Sequence, residues 1–159
     1  MTRLFASDLH LDPARPEVTE QFLGLLQELE GRSGSLFLLG DLFEAWLGDD
    51  LPGALGETVA VALRKLANTG TALYLMQGNR DVMLGQSFCQ AAGALLLEDP
   101  CLLDIHGAQV LLTHGDALCT DDGAYQRLRA LLRDPDVRSG LLALPERQRR
   151  ALAGEARAG

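Results

Sequence analysis

Four apolar runs of strand length are each cut off by residues able to bind a metal or a phosphate. "LFASDLH" (4–10) ends in Asp8 and His10, "SLFLLGD" (35–41) in Gly40-Asp41, and "TALYLMQGN" (71–79) in Gly78-Asn79. "AQVLLTH" (108–114) ends in His114 and runs on into Gly115-Asp116. Residues two apart in an extended segment point the same way, so Asp8 and His10 are expected side by side at the end of the first strand. A surface strand end would show such a pair once by accident. Recurrence at four ends points to a site.

Helical periodicity fills the gaps between the runs. Val18, Phe22, Leu25, Leu26 and Leu29 predict one helix over 17–30, stopped by Gly31. Pro52 opens a second, with Leu55, Val59, Ala62, Leu63 and Leu66 on one side and Gly70 beyond its end. A short helix is expected over 84–92, and further helices over 122–133 and 144–157. Residues 102–105 and 108–114 predict a hairpin whose turn is His106-Gly107, with His106 facing solvent. Strand and helix in alternation predict an α/β domain with parallel strands buried on both faces. Ligands in such sheets gather at the carboxyl ends of the strands, where the four polar ends would converge. The glycines beside them would let the backbone come close to a ligand.

The 159 residues suffice for one domain with a real core. No apolar run approaches the roughly 18 residues of a membrane span, and Asp8 interrupts the N-terminal run too early for a signal peptide. Cys89, Cys101 and Cys119 are odd in number and widely spaced, which suits neither a disulfide framework nor a C-x-x-C site and predicts a reducing cytoplasm.

Charge divides the chain. Residues 1–126 hold 6 basic and 18 acidic side chains, a net of −12, while residues 127–159 hold 8 arginines and 4 acids, a net of +4. The acidic body suits metal binding and disfavours nucleic acid. The arginine-rich tail fits contact with phosphates or an anionic membrane, and equally a solvated helix face.

Mixed oxygen and nitrogen ligands favour Mn²⁺, Fe²⁺, Zn²⁺ or Co²⁺ over Ca²⁺. So many ligands imply two ions sharing one carboxylate. Two metals about 4 Å apart can grip both the attacking and departing oxygens of a phosphoryl centre. The reaction class read from the residues is hydrolysis of a phosphate ester or anhydride.

"DLH" (8–10), "GD" (40–41), "GN" (78–79) and "HGD" (114–116) resemble, in order, the blocks of the calcineurin-like metallophosphoesterases. The longer stretches "LGDLFEAWLGDD" (39–50), "GNRD" (78–81) and "HGDALCTDDGAYQRLR" (114–129) resemble the branch of UDP-2,3-diacylglucosamine hydrolases of lipid A synthesis. Arg80, where most of the superfamily has a histidine, is a mark of that branch. The resemblance runs from residue 1 to about 135.

What the resemblance implies can be set out residue by residue. The fold is an αββα sandwich of mixed β-sheets flanked by helices, with its core in 1–121 and a helical cap beginning in 122–159. Asp8, His10 and Asp41 hold one Mn²⁺; Asp41 bridges to a second, which Asn79 and His114 also bind. A hydroxide on the metals is the nucleophile. Asn79, Arg80 and Asp122 bind substrate, Arg80 forking onto a phosphate oxygen rather than pairing with Asp81. Tyr125, Leu128, Leu131 and Leu132 have the spacing of an apolar cap face, a pattern that core packing also produces. Phe43 and Trp46 either border the substrate or lie buried.

The implied reaction splits the pyrophosphate of UDP-2,3-diacylglucosamine into UMP and 2,3-diacylglucosamine 1-phosphate. The partners are that lipid and an anionic membrane surface, at the inner face of the cytoplasmic membrane of a Gram-negative-type bacterium, with no obligate protein partner. The chain departs from the pattern in one respect. No Gly-His-x-His block follows His114, so it is expected to be the N-terminal portion of a longer protein, with an apolar face and strand edges uncovered. Two other readings stand beside this one: a related phosphoesterase acting on nucleotides or phosphoproteins, and a non-catalytic fragment that keeps the shape of the site.

Overall fold

The computed structural model describes residues 2–32 and 34–158, with the side chains of 155–158 left aside. Four parallel strands form the main sheet in the order β1 (Thr2–Ala6), β2 (Gly34–Leu39), β3 (Ala72–Met76), β4 (Ala94–Leu97). The helices α1 (Pro16–Leu29), α2 (Gly53–Asn68) and α3 (Gln86–Ala92) make the crossovers. Strand order never reverses, so crossovers of one hand put all three helices on the same face.

Alternation along the strands divides the core. Leu36, Leu38, Leu73 and Leu75 face the helices and pack with Phe22, Leu26, Val59, Leu63, Leu66 and Phe88. Phe37 and Met76 face the other way and are covered by an antiparallel hairpin, β5 (Cys101–Ile105) and β6 (Ala108–Leu112), through Leu103, Val110 and Leu112. Its turn carries positive φ at both His106 (56°) and Gly107 (83°), as a two-residue hairpin of type I′ requires, and His106 is exposed.

The hairpin is a sheet of its own, so the expected burial of the parallel strands on both faces holds only in part. Phe5, stacked on Phe37 at 4.8 Å, stays 46% exposed. Leu102 and Leu111, paired across the hairpin, face away from the main sheet and are exposed.

The chain ends in three helices, α4 (Gly123–Arg133), α5 (Pro135–Leu142) and α6 (Glu146–Ala158). Sequence periodicity missed α5, which Asp134 caps through the N–H groups of Asp136 and Val137 and which Pro135 opens. It also missed β4, a four-residue run too short to be told from the tail of α3.

Helix α4 buries none of its residues, and Leu128 and Leu131 are exposed, so its apolar stripe is not core packing. The arginine-rich tail is neither a solvated face throughout nor free for partners throughout. Arg129 and Arg133 pair with Asp99 and Asp116, and Arg149 pairs with Asp50. Opposite net charges in body and tail thus hold the chain to itself. Among the described residues, no helix is long and apolar enough to cross a membrane.

Candidate metal centre

Past the ends of β1 and β2 the chain stays paired. Asp8 N–H donates to Gly40 O (3.1 Å), His10 N–H to Asp41 O (2.9 Å), and Leu11 bridges to Phe43. The two loops therefore carry Asp8, His10 and Asp41 together. Extended alternation does not do this, contrary to the expectation from sequence. β1 stops at Ala6, and Asp8, His10 and Asp41 all have positive φ (58°, 49° and 53°). Side chains with a Cβ adopt that backbone at a cost, and the paired loops over-determine it here.

Asp8, His10 and Asp41 form a group that could hold a metal ion, with one ligand atom from each lying within 4.8 Å of the others. His10 Nε2 stands 3.5 Å from Asp41 Oδ2 and 3.9 Å from Asp8 Oδ1. These separations are long for hydrogen bonds and suit ligands that each lie about 2.1 Å from one ion. The other nitrogen of His10, Nδ1, is 2.8 Å from Glu44 Oε2. A carboxylate there keeps the proton on Nδ1 and leaves the Nε2 lone pair for a metal.

His114 repeats the device on the other side of Asp41. Its Nδ1 donates to Leu39 O (2.9 Å), which can only accept, so the neutral imidazole has its lone pair on Nε2. Nε2 faces Asp41 Oδ1 at 3.8 Å and Asn79 Oδ1 at 3.2 Å. Acceptors turned toward one another fit a cation between them. The residues present thus suit divalent metal, with each Asp41 oxygen facing its own imidazole. His114 does not come from the same sheet as the others, as the sequence led one to expect. It follows β6 and reaches the site from the hairpin.

The glycines serve close approach among the site's own parts. A Cβ on Gly78 would collide with the Asp41 carboxylate and backbone N, and one on Gly40 would meet His114 Nδ1 and lie 2.8 Å from Gly78 Cα.

Arg80 donates its backbone N–H to Asp41 Oδ1 (2.8 Å), and its guanidinium lies 3.8 Å from Glu44. It makes no ion pair with Asp81, whose carboxylate is fully buried and taken up by the N–H groups of Asp41, Leu42, Phe43 and Gly78. Burial pushes the Asp81 carboxyl up, as does the Asp41 charge; its hydrogen bonds pull the other way. Asp122 caps α4 by accepting from Tyr125 N–H (2.9 Å). Burial pushes the Asp116 carboxyl up, but the Tyr125 hydroxyl and the two arginines outweigh it and hold it below the usual range.

No protein-family model matches the chain. It is 50% identical over 157 residues to a Stenotrophomonas maltophilia K279a protein named UDP-2,3-diacylglucosamine hydrolase, an overlap of 99% of this chain and 63% of that protein. Proteins of the same name from Xanthomonas oryzae pv. oryzae PXO99A and Xanthomonas campestris pv. campestris B100 are 51% identical over 158 residues, 99% of this chain and 64% of theirs. The chain is a relative of the UDP-2,3-diacylglucosamine hydrolases. It spans about 64% of the length of these curated relatives.

Reading these hydrolases' motifs from the sequence singled out Asp8, His10, Asp41, Asn79, Arg80, His114 and Asp122; Asp8, His10, Asn79, Arg80 and His114 gather about Asp41, while the contact of the Asp122 side chain is the cap of α4. It missed Glu44 and Asp81. Glu44 lies inside the quoted "LGDLFEAWLGDD", but nothing local says its carboxylate turns back onto His10. Phe43 and Trp46 are buried, stacked on each other at 4.5 Å and edge-on to Phe88.

Proposed function

We propose that this chain is the metal-holding part of an enzyme that hydrolyses the pyrophosphate of UDP-2,3-diacylglucosamine to UMP and 2,3-diacylglucosamine 1-phosphate. One observation carries the reading. The Asp41 carboxylate turns one oxygen to His10 Nε2 and the other to His114 Nε2, in a chain half identical to proteins of that name. In this reading Asp8, His10 and Asp41 hold one Mn²⁺, and Asp41, Asn79 and His114 a second. Such ions polarise phosphoryl oxygens and acidify water.

The chain's own groups do the rest. Glu44 and the Leu39 carbonyl keep the two imidazoles in the ligating tautomer. Arg80, partly exposed beside Asn79, offers its guanidinium fork to a substrate phosphate. Asp122 binds substrate as well, an assignment supported by the resemblance alone. Residues 122–159 form the start of a cap, and the exposed Leu128, Leu131 and Leu152 offer apolar surface for acyl chains. A substrate with two acyl chains sets the enzyme at the inner face of the cytoplasmic membrane, where the exposed Arg127 and Arg147 favour anionic lipid.

The test is Mn²⁺-dependent release of UMP from UDP-2,3-diacylglucosamine, with Mn²⁺ binding measured in parallel. Asp41→Ala should abolish the first and weaken the second. Turnover of soluble nucleotides in place of the lipid would favour a different phosphoesterase. Mn²⁺ affinity untouched by the substitution would remove the metal assignment.

A further inference from the structure

Asp99 stands outside the ligand cluster, in the loop between β4 and β5, its side chain only 4% exposed. Its two oxygens face different parts of the molecule. Oδ1 accepts from the Thr113 hydroxyl (2.7 Å) and from the backbone N–H of His114 (3.1 Å). Oδ2 accepts from Arg129 Nη2 (2.8 Å) and Arg133 Nη2 (3.0 Å), both on α4. Those arginines also reach Asp116 at 2.8 and 3.6 Å, and Tyr125 donates its hydroxyl to Asp116 at 2.7 Å.

His114 needs such support. β6 has ended at Leu112, so no ladder fixes the backbone that carries the imidazole, and Gly115 turns away with φ 98°. The Leu39 carbonyl holds the ring, and Asp99 holds the main chain beneath it. A buried carboxylate with charged donors on one side and a site backbone on the other transmits position well, because its own oxygens are withdrawn from water and its bonds to the arginines are charge-assisted.

We infer that Asp99 is a positioning residue: it sets the His114 backbone so that Nε2 faces Asp41, and through Arg129 and Arg133 it ties that setting to helix α4. The inference rests on the reading of His114 as a metal ligand. It also implies that whatever moves α4 moves His114.

The chain's three histidines make the test direct. The whole 159-residue protein, labelled with ¹⁵N-histidine, is titrated with Zn²⁺ and its imidazole resonances followed by NMR. In the unsubstituted chain the signals of His10 and His114 should shift and saturate, while His106 stays still. In Asp99→Ala and Asp99→Glu the His114 midpoint should rise about 10- to 100-fold, the range for outer groups that orient metal ligands, with His10 moving less than about threefold. Asp99→Glu keeps an anion for both arginines and carries the test if Asp99→Ala does not fold. A His114 midpoint unchanged in the folded variants, with thermal stability alone lowered, would make Asp99 merely structural and overturn the inference. If His114 of the unsubstituted chain ignores Zn²⁺, the underlying reading of His114 falls instead.

Discussion

The carboxylate of Asp81 lies beneath the backbone of Asp41 and accepts its N–H at 3.2 Å. The same carboxylate takes the N–H groups of Leu42 (2.8 Å), Phe43 (3.3 Å) and Gly78 (2.8 Å). It therefore pins together the two loops that carry Asp41 and Asn79. Asp81 holds the site without facing any ligand of it.

Asp81→Ala leaves four buried N–H groups without their acceptor. Each such loss costs about 1–3 kcal/mol, and relaxation and water entry recover part of it. A net loss of about 3–5 kcal/mol is expected, a large share of a domain's total stability. Urea denaturation of the folded protein reads it directly. A loss below about 1 kcal/mol would mean those groups find other partners.

Glu44 accounts for a second effect, on metal affinity. With its carboxylate 2.8 Å from His10 Nδ1, it fixes the tautomer that leaves Nε2 free. Glu44→Ala should weaken Mn²⁺ binding by about 10- to 100-fold, and Glu44→Gln, which still offers an acceptor, should fall between the variant and the native protein. Calorimetric titration with Mn²⁺ separates the three. Equal affinities would show that the imidazole is held without Glu44.

The cysteines should differ in reactivity. Burial, aided by the Asp49 charge, pushes the Cys89 thiol up to about 12, and the side chain is inaccessible. Cys119 is exposed. Iodoacetamide at pH 8 should alkylate Cys119 in the native protein and leave Cys89 unmodified until denaturant is added, because only the accessible thiolate reacts. Peptide mass spectrometry locates the adducts. Rapid native labelling of Cys89 would contradict the packing of α3 against α2.

Much of the architecture can be read along the chain because it depends on local periodicity. The apolar spacing in 17–30 and after Pro52 appears as α1 and α2, and the runs at 35–41 and 71–79 appear as β2 and β3. The hairpin closes on His106-Gly107, where the glycine takes one of the turn's two positive φ angles without steric cost. The elements that escaped were short. Neither β4 nor α5 holds enough turns or alternations to impose a period.

Composition and motif order in the sequence alone determined which residue types meet: carboxylates, imidazoles and an amide, each placed just past an apolar run. How they meet was decided by tertiary structure. The left-handed turns at Asp8, His10 and Asp41, the approach of His114 from a separate hairpin, and the turning of Glu44 onto His10 all depend on contacts 30 or more residues apart in sequence. The fate of the tail is tertiary too: Arg129 and Arg133 read as free charge along the chain and become half-buried partners of Asp99 and Asp116 once folded. Periodicity is a property of neighbours in sequence. A charge finds its partner only when folding removes the water between them.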